Sequence, residues 1–70
     1  MNSRELKAQM IRNGKSVDDL CTALGISRSA WFRKVNGESQ FTQGEINGLR
    51  FELSLDDQQT ISIFFNSQVS

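Results

Sequence analysis

The feature that most constrains this chain is a three-residue connection, Gly25-Ile26-Ser27, between two short segments with helical periodicity. So short a connection leaves too little chain for an antiparallel helical hairpin, and the two helices are therefore expected to cross steeply. Gly25 permits the positive φ that redirects the chain, and Ser27 is a residue type that caps helix starts. Cys21 is small enough to let the two helices touch at the crossing. The sequence thus predicts a helix-turn-helix over about residues 17–36.

Signals for helix starts and ends divide the rest of the chain in the same manner. Three segments place an acid three positions after a hydroxyl residue, as at a capped helix start: Ser16–Asp19, Thr42–Glu45 and Ser54–Asp57. Apolar-periodic runs end at glycines 14, 25 and 37, which can close a helix. The sequence has no proline and no sustained alternation of the strand type. We predict an all-α fold of five short helices over residues 3–13, 17–24, 28–36, 43–52 and 55–65.

Apolar residues at helical spacing predict one core, formed by Leu6, Leu20, Leu24, Ile26, Trp31, Ile46, Leu49 and Phe64. A chain of 70 residues holds at most one domain. We assign residues 1–65 to this domain and expect the polar residues 66–70 to form a flexible tail.

Composition excludes several kinds of site. The chain has no histidine and a single cysteine, Cys21, which excludes a zinc finger, an intramolecular disulfide and catalysis by a Cys–His pair. No glycine-rich phosphate loop of a known spacing is present. We therefore expect no enzymatic activity, no cofactor and no bound metal. Because no apolar run approaches the roughly 18 residues of a membrane span, we also expect a soluble, cytoplasmic protein.

Charge is unevenly distributed along the chain. Residues 1–37 carry seven basic and three acidic side chains, whereas residues 38–70 carry one basic and five acidic side chains. The net charge of zero argues against strong non-specific binding to nucleic acid. The asymmetry, in contrast, indicates one face that meets a polyanion. Charge alone leaves DNA binding and chance clustering both open.

A family resemblance adds to these patterns. The run Leu20–Ser29, LCTALGISRS, resembles the pattern LAxxLGISRS of XRE-type helix-turn-helix proteins, the lambda-repressor-like domains of phage repressors and Cro proteins. The segments Phe41–Ile46 and Leu53–Phe65 resemble short versions from phages of Gram-positive bacteria. The similar region spans about residues 15–65 and departs from the family at Val17, where a phosphate-contacting glutamine is usual. The resemblance implies a lambda-repressor-like domain whose helix 28–36 enters the major groove of double-stranded DNA.

The implied DNA contacts fall into two groups. Base contacts are expected from the start of the recognition helix: Arg28, Ser29, Phe32 and Arg33. Arginine pairs well with guanine, and an exposed Phe32 would meet thymine methyls unless it packs at the core edge or in a dimer. Phosphate contacts are expected from residues at helix starts and around the recognition helix: Lys15, Ser16, Ser27, Lys34 and Asn36.

The resemblance implies a transcriptional regulator of phage or prophage type, acting as a repressor or Cro-like protein in a bacterial host cell. Such regulators pair two half-sites, so we expect a homodimer, formed in solution or only on a DNA operator. Phe51 and Ile63, which the predicted core does not need, are the expected dimer contacts. The alternative is a protein-binding helix-turn-helix, an antirepressor-like partner of another regulator. The neutral net charge and Val17 favour this second interpretation.

Overall fold

The computed structural model describes residues 1–65, which form five α-helices and no strand. The helices are α1 (Ser3–Arg12), α2 (Val17–Leu24), α3 (Arg28–Val35), α4 (Gln43–Glu52) and α5 (Asp57–Phe64). The prediction of an all-α fold with five helices is confirmed, and only α5 begins at a different residue from the predicted one. Within residues 1–65 no helix has the length and apolar character needed to cross a membrane. The predicted tail, residues 66–70, lies outside the described residues.

Side-chain caps fix the starts of α2 and α4 as predicted. The hydroxyl of Ser16 accepts from the N–H of Asp19 at 3.1 Å, and the N–H of Ser16 donates to the Asp19 carboxylate at 2.9 Å. Thr42 and Glu45 form the same reciprocal pair at α4, at 3.1 and 2.9 Å. These bonds satisfy N–H groups that have no partner inside the helix. The pKa of Asp19 is lowered most by the hydrogen bond from the Ser16 N–H and next by the bond with the Ser16 hydroxyl.

The third predicted cap, at Ser54, is wrong, because Ser54 belongs to the end of α4. Its φ is +52°, and the N–H of the next residue, Leu55, donates to the carbonyl of Arg50 at 2.9 Å. This is the Schellman pattern of helix termination. Asp56 caps α5 instead, since its carboxylate accepts the N–H of Gln59 at 2.7 Å. The same pattern ends α1, α2 and α3, but there the left-handed residue is a glycine.

Each helix contributes a fully buried residue to one core: Leu6, Leu20, Trp31, Leu49 and Ile63. Five of the eight predicted core residues are buried, including Ile46, and the other three (Leu24, Ile26 and Phe64) are half-buried against the cluster. Gly48 of α4 faces α2 so closely that an added Cβ would lie 2.7 Å from Cδ2 of Leu24. The core therefore holds α2 tightly against α4.

Ile63 lies in this core, so the prediction that it forms a dimer surface is wrong. Its exposed fraction is 0%, whereas that of Ile61 is 57%. Residues two apart on a helix point in roughly opposite directions, and α5 packs against both α1 and α4. That packing turns Ile63 inward and leaves Ile61 outside. The N–H of Asn2 donates to the Ile63 carbonyl at 2.7 Å, which ties the start of α1 to the end of α5.

Candidate nucleic-acid interface

The turn between α2 and α3 has the geometry expected from its residues. Gly25 is left-handed, with φ +71°, and the hydroxyl of Ser27 caps α3 by accepting the N–H of Ala30 at 3.1 Å. Cys21 is buried beside the turn, and its thiol donates a weak hydrogen bond to the Ser27 carbonyl at 3.8 Å. Burial raises the pKa of the Cys21 thiol, so it remains protonated and acts as a small packing residue.

Trp31 sets the orientation of α3. It is the buried residue of this helix, and its ring meets that of Phe41 edge-on, with centroids 5.5 Å apart. Phe41 in turn meets Phe64 of α5 at 5.7 Å. These aromatic contacts fix the inward side of α3 and thereby determine which residues face outward.

The four residues predicted to contact bases all lie on the exposed part of α3: Arg28, Ser29, Phe32 and Arg33. Phe32 is 43% exposed, which agrees with its expected position off the buried stripe. The face thus combines two guanidinium groups, a hydroxyl and an aromatic ring. Such a set can donate hydrogen bonds and make apolar contacts with base edges.

Arg28 is held in place by two neighbours. Its Nη1 lies 2.5 Å from Oδ1 of Asp18, near the start of α2. Its guanidinium carbon lies 5.7 Å from the centroid of the Phe32 ring, within the range of a cation–π contact. Sequence reasoning did not select Asp18, because the pairing depends on the angle at which α2 and α3 cross.

Lys34 is occupied inside the protein, which corrects the prediction that it contacts phosphate. Its ammonium lies 3.1 Å from Oε1 of Glu45 and donates to the carbonyl of Gln40 at 3.2 Å. The side chain is only 14% exposed and its ammonium lies 5.8 Å from the centroid of the Phe41 ring. Lys34 therefore connects the end of α3 to the start of α4.

The other four residues predicted to contact phosphate remain at least partly accessible. Lys15 lies 3.2 Å from the Glu52 carboxylate and is about one-third exposed, so a phosphate would compete with that acid. Ser16, Ser27 and Asn36 are exposed. The two serine hydroxyls already accept backbone N–H groups as caps, which leaves the hydroxyl hydrogen free to donate.

A groove of about 440 Å³ runs between α1 and α3. Its floor is apolar and includes Leu6, Met10 and Val35, whereas Arg4 and Lys7 of α1 stand beside it together with Asn36. Phe32 also borders the groove, which places both basic residues next to the exposed face of α3. Sequence analysis did not select them as site residues. Their spacing of three indicates a shared helix face, but the neighbour of that face depends on tertiary packing.

Phe51, the other residue expected in a dimer, is 81% exposed on α4. Large apolar side chains are common on protein surfaces, so this exposure permits a contact without requiring one.

Within residues 1–65, no group of three or more histidine, cysteine, aspartate or glutamate side chains is placed to hold a metal ion. No family model matches the chain, and no significant match is found among curated proteins or solved structures.

Proposed function

We propose that this chain is a transcriptional regulator of phage or prophage type, with a lambda-repressor-like fold of the XRE-type helix-turn-helix family. In this proposal α3 enters the major groove of double-stranded DNA and reads its sequence. The observation that carries the proposal is the division of α3 into a buried anchor, Trp31, and an exposed set of reading residues: Arg28, Ser29, Phe32 and Arg33. Such a regulator works in the cytoplasm of the bacterial host.

Backbone contacts come from residues around α3. Ser16 and Ser27 lie at helix starts, where N–H groups and the helix dipole favour a phosphate. Lys15 and Asn36 add polar contacts, and Arg4 and Lys7 supply cationic charge beside the groove. Lys34 is not part of this set, because its side chain is only 14% exposed and its ammonium is held by Glu45. Only the cationic contacts, Lys15, Arg4 and Lys7, release counterions, so log K falls with log salt at a slope of about −3 per subunit.

The proposal is tested by selecting binding sites from a random double-stranded library, followed by fluorescence anisotropy at several salt concentrations. We expect one enriched sequence and the salt slope given above. The Arg28→Ala/Arg33→Ala variant should lose the preference. Arg50→Ala is the matched control, since this arginine pairs with Asp57 at 2.6 Å on α5. A lack of enrichment, or a lack of binding even at low salt, would overturn the proposal.

The regulator acts as a homodimer on a two-fold operator, because one recognition helix reads only about four or five base pairs. Of the two residues expected in the dimer, Phe51 is available for that contact and Ile63 is not. So small a chain offers a limited interface, and we expect weak self-association that strengthens on DNA. Sedimentation velocity at rising concentration should show dimers that Phe51→Ser weakens. A protein that stays monomeric both free and on its selected site would contradict the dimer.

One observation favours the alternative, a protein-binding helix-turn-helix that modulates another regulator. Asp18 places a negative charge beside Arg28 on the exposed face, and the groove next to it is mostly apolar. A partner protein tolerates that charge better than a phosphate backbone does. Absence of salt-dependent DNA binding, together with a stable stoichiometric complex with the purified repressor of the same phage, would favour this alternative.

A further inference from the structure

The carboxylate of Asp18 stands at the edge of the exposed face of α3. It is 71% exposed and meets Arg28, itself 59% exposed, across the turn between α2 and α3. The contact joins Oδ1 of Asp18 to Nη1 of Arg28 at 2.5 Å. An exposed ion pair of this kind adds little to folding stability, typically about 0–1 kcal/mol. Its placement, next to the reading residues, therefore suggests a role other than stability.

We propose that Asp18 is a specificity-determining residue. This inference rests on the proposed function of the chain as a DNA-binding protein. Asp18 and the Phe32 ring restrain the Arg28 guanidinium from two directions. A guanidinium restrained in this way presents its remaining N–H groups in one orientation, as bidentate contact with guanine O6 and N7 requires. Asp18 is thus a positioning residue for the guanine contact.

The same carboxylate also makes a direct contact. Arg28 contacts Oδ1 of Asp18, and in this proposal Oδ2 is the acceptor for the neighbouring base. An ionised carboxylate can only accept, so it pairs with an exocyclic amino group and repels keto oxygens and phosphates. In the major groove cytosine N4 is the amino group that acidic side chains commonly contact. Arg28 and Asp18 together therefore select a guanine with a cytosine amino group beside it.

On DNA that lacks this site, Asp18 lowers the affinity of the protein instead of raising it. There Arg28 remains paired with Asp18, and the carboxylate lies near phosphates that it repels. Removing its charge therefore produces two changes of opposite sign: weaker discrimination at one position and stronger binding to unrelated DNA. A purely structural role would produce neither.

The test compares Asp18→Asn with Asp57→Asn, measured by anisotropy on the selected site, on its single base-pair variants and on an unrelated duplex. Asp57 is the matched control because it is 85% exposed and pairs with Arg50 at 2.6 Å on the acidic half of the chain. For Asp18→Asn we expect discrimination at one base pair to fall about tenfold. Affinity for the unrelated duplex should rise about threefold. Asp57→Asn should leave the discrimination unchanged.

The role of Asp18 would be overturned if the two variants discriminated equally well, or if Asp18→Asn changed the affinity for every sequence by the same factor. Either result would leave the proposed function standing. A wild-type protein that shows no sequence preference would overturn the proposed function and this inference with it. Thermal unfolding of each variant, followed by circular dichroism, confirms that the measured protein is folded.

Discussion

The ammonium of Lys34 lies 3.1 Å from the carboxylate of Glu45, so the last turn of α3 is joined to the first turn of α4. The same carboxylate accepts the N–H of Thr42 at 2.9 Å as part of the capping box. A single acidic side chain therefore stabilises both a helix start and the position of the exposed helix relative to the core.

Acidification should destabilise the fold through Glu45. Burial alone would raise the pKa of this carboxyl. The hydrogen bond from the Thr42 N–H, the hydrogen bond and positive charge of Lys34, and the Thr42 hydroxyl together lower it further than burial raises it. The pKa of Glu45 therefore lies below its ordinary value of 4.5. The resulting stability is complete above about pH 4.5 and is lost as pH falls through the lowered folded-state pKa. Glu45→Gln should lower the melting temperature at neutral pH. In acid, the melting temperature of this variant should fall less steeply than that of the wild type, and the remaining fall is due in part to Asp19. Parallel pH profiles for the two proteins would contradict this prediction.

Ser54→Gly should stabilise the protein. Ser54 occupies a left-handed conformation, φ +52°, where glycine has no Cβ penalty. We expect a gain of about 0.5–1 kcal/mol, seen as a rise in melting temperature of about 2–8 °C. Ser62→Gly is the control, because Ser62 is an exposed residue of α5 and glycine within a helix is destabilising. A loss of stability in Ser54→Gly would show that the serine makes a compensating contact.

Alanine substitution should separate the two isoleucines of α5. Ile63→Ala removes a fully buried side chain and should cost about 2–5 kcal/mol of unfolding free energy. Ile61→Ala, at a position 57% exposed, should change the stability by less than about 0.5 kcal/mol. Denaturant unfolding measures both, and similar losses would mean that α5 packs with a different face.

The proposed function predicts that residues that read bases and residues that contact phosphate differ in their DNA-binding profiles. Arg33→Ala should cost about 1–3 kcal/mol on the selected site and relax the preference at one base pair. Lys7→Gln should weaken binding to every sequence equally and reduce the salt slope by about 1. Anisotropy on matched and mismatched duplexes distinguishes the two. If Arg33→Ala weakened all sequences equally, Arg33 would be a phosphate contact.

Local signals predicted the helices well, because capping boxes and left-handed glycines act within a few residues of each helix end. The error at Ser54 also comes from a local signal. The residues after Ser54 fit a helix start, but α4 continues to Glu52, and Ser54 belongs to the Schellman turn that ends this helix. The faces of α5 were harder to assign, since Ile61, Ile63, Phe64 and Phe65 are crowded into one short segment. Only the packing against α1 and α4 selects among them.

The exposed side chains of α3 followed from the four-residue spacing of Trp31 and Val35, which defines the inward side. Ion pairs did not follow from sequence, because Asp18 and Arg28 lie ten residues apart and meet only once the helices cross. Lys34 is a similar case, since its partner lies on the next helix. The groove beside α1 likewise depends on tertiary packing.

The anchoring of α3 through Trp31 has a consequence for how such a protein can change. Because the outward residues Arg28, Ser29, Phe32 and Arg33 contribute little to the core, they can be exchanged while the scaffold keeps its stability. Mutation can therefore change this exposed surface without first passing through unfolded intermediates. A library randomised at these four positions, with Trp31 retained, would provide a set of folded domains that differ mainly in the surface they recognise.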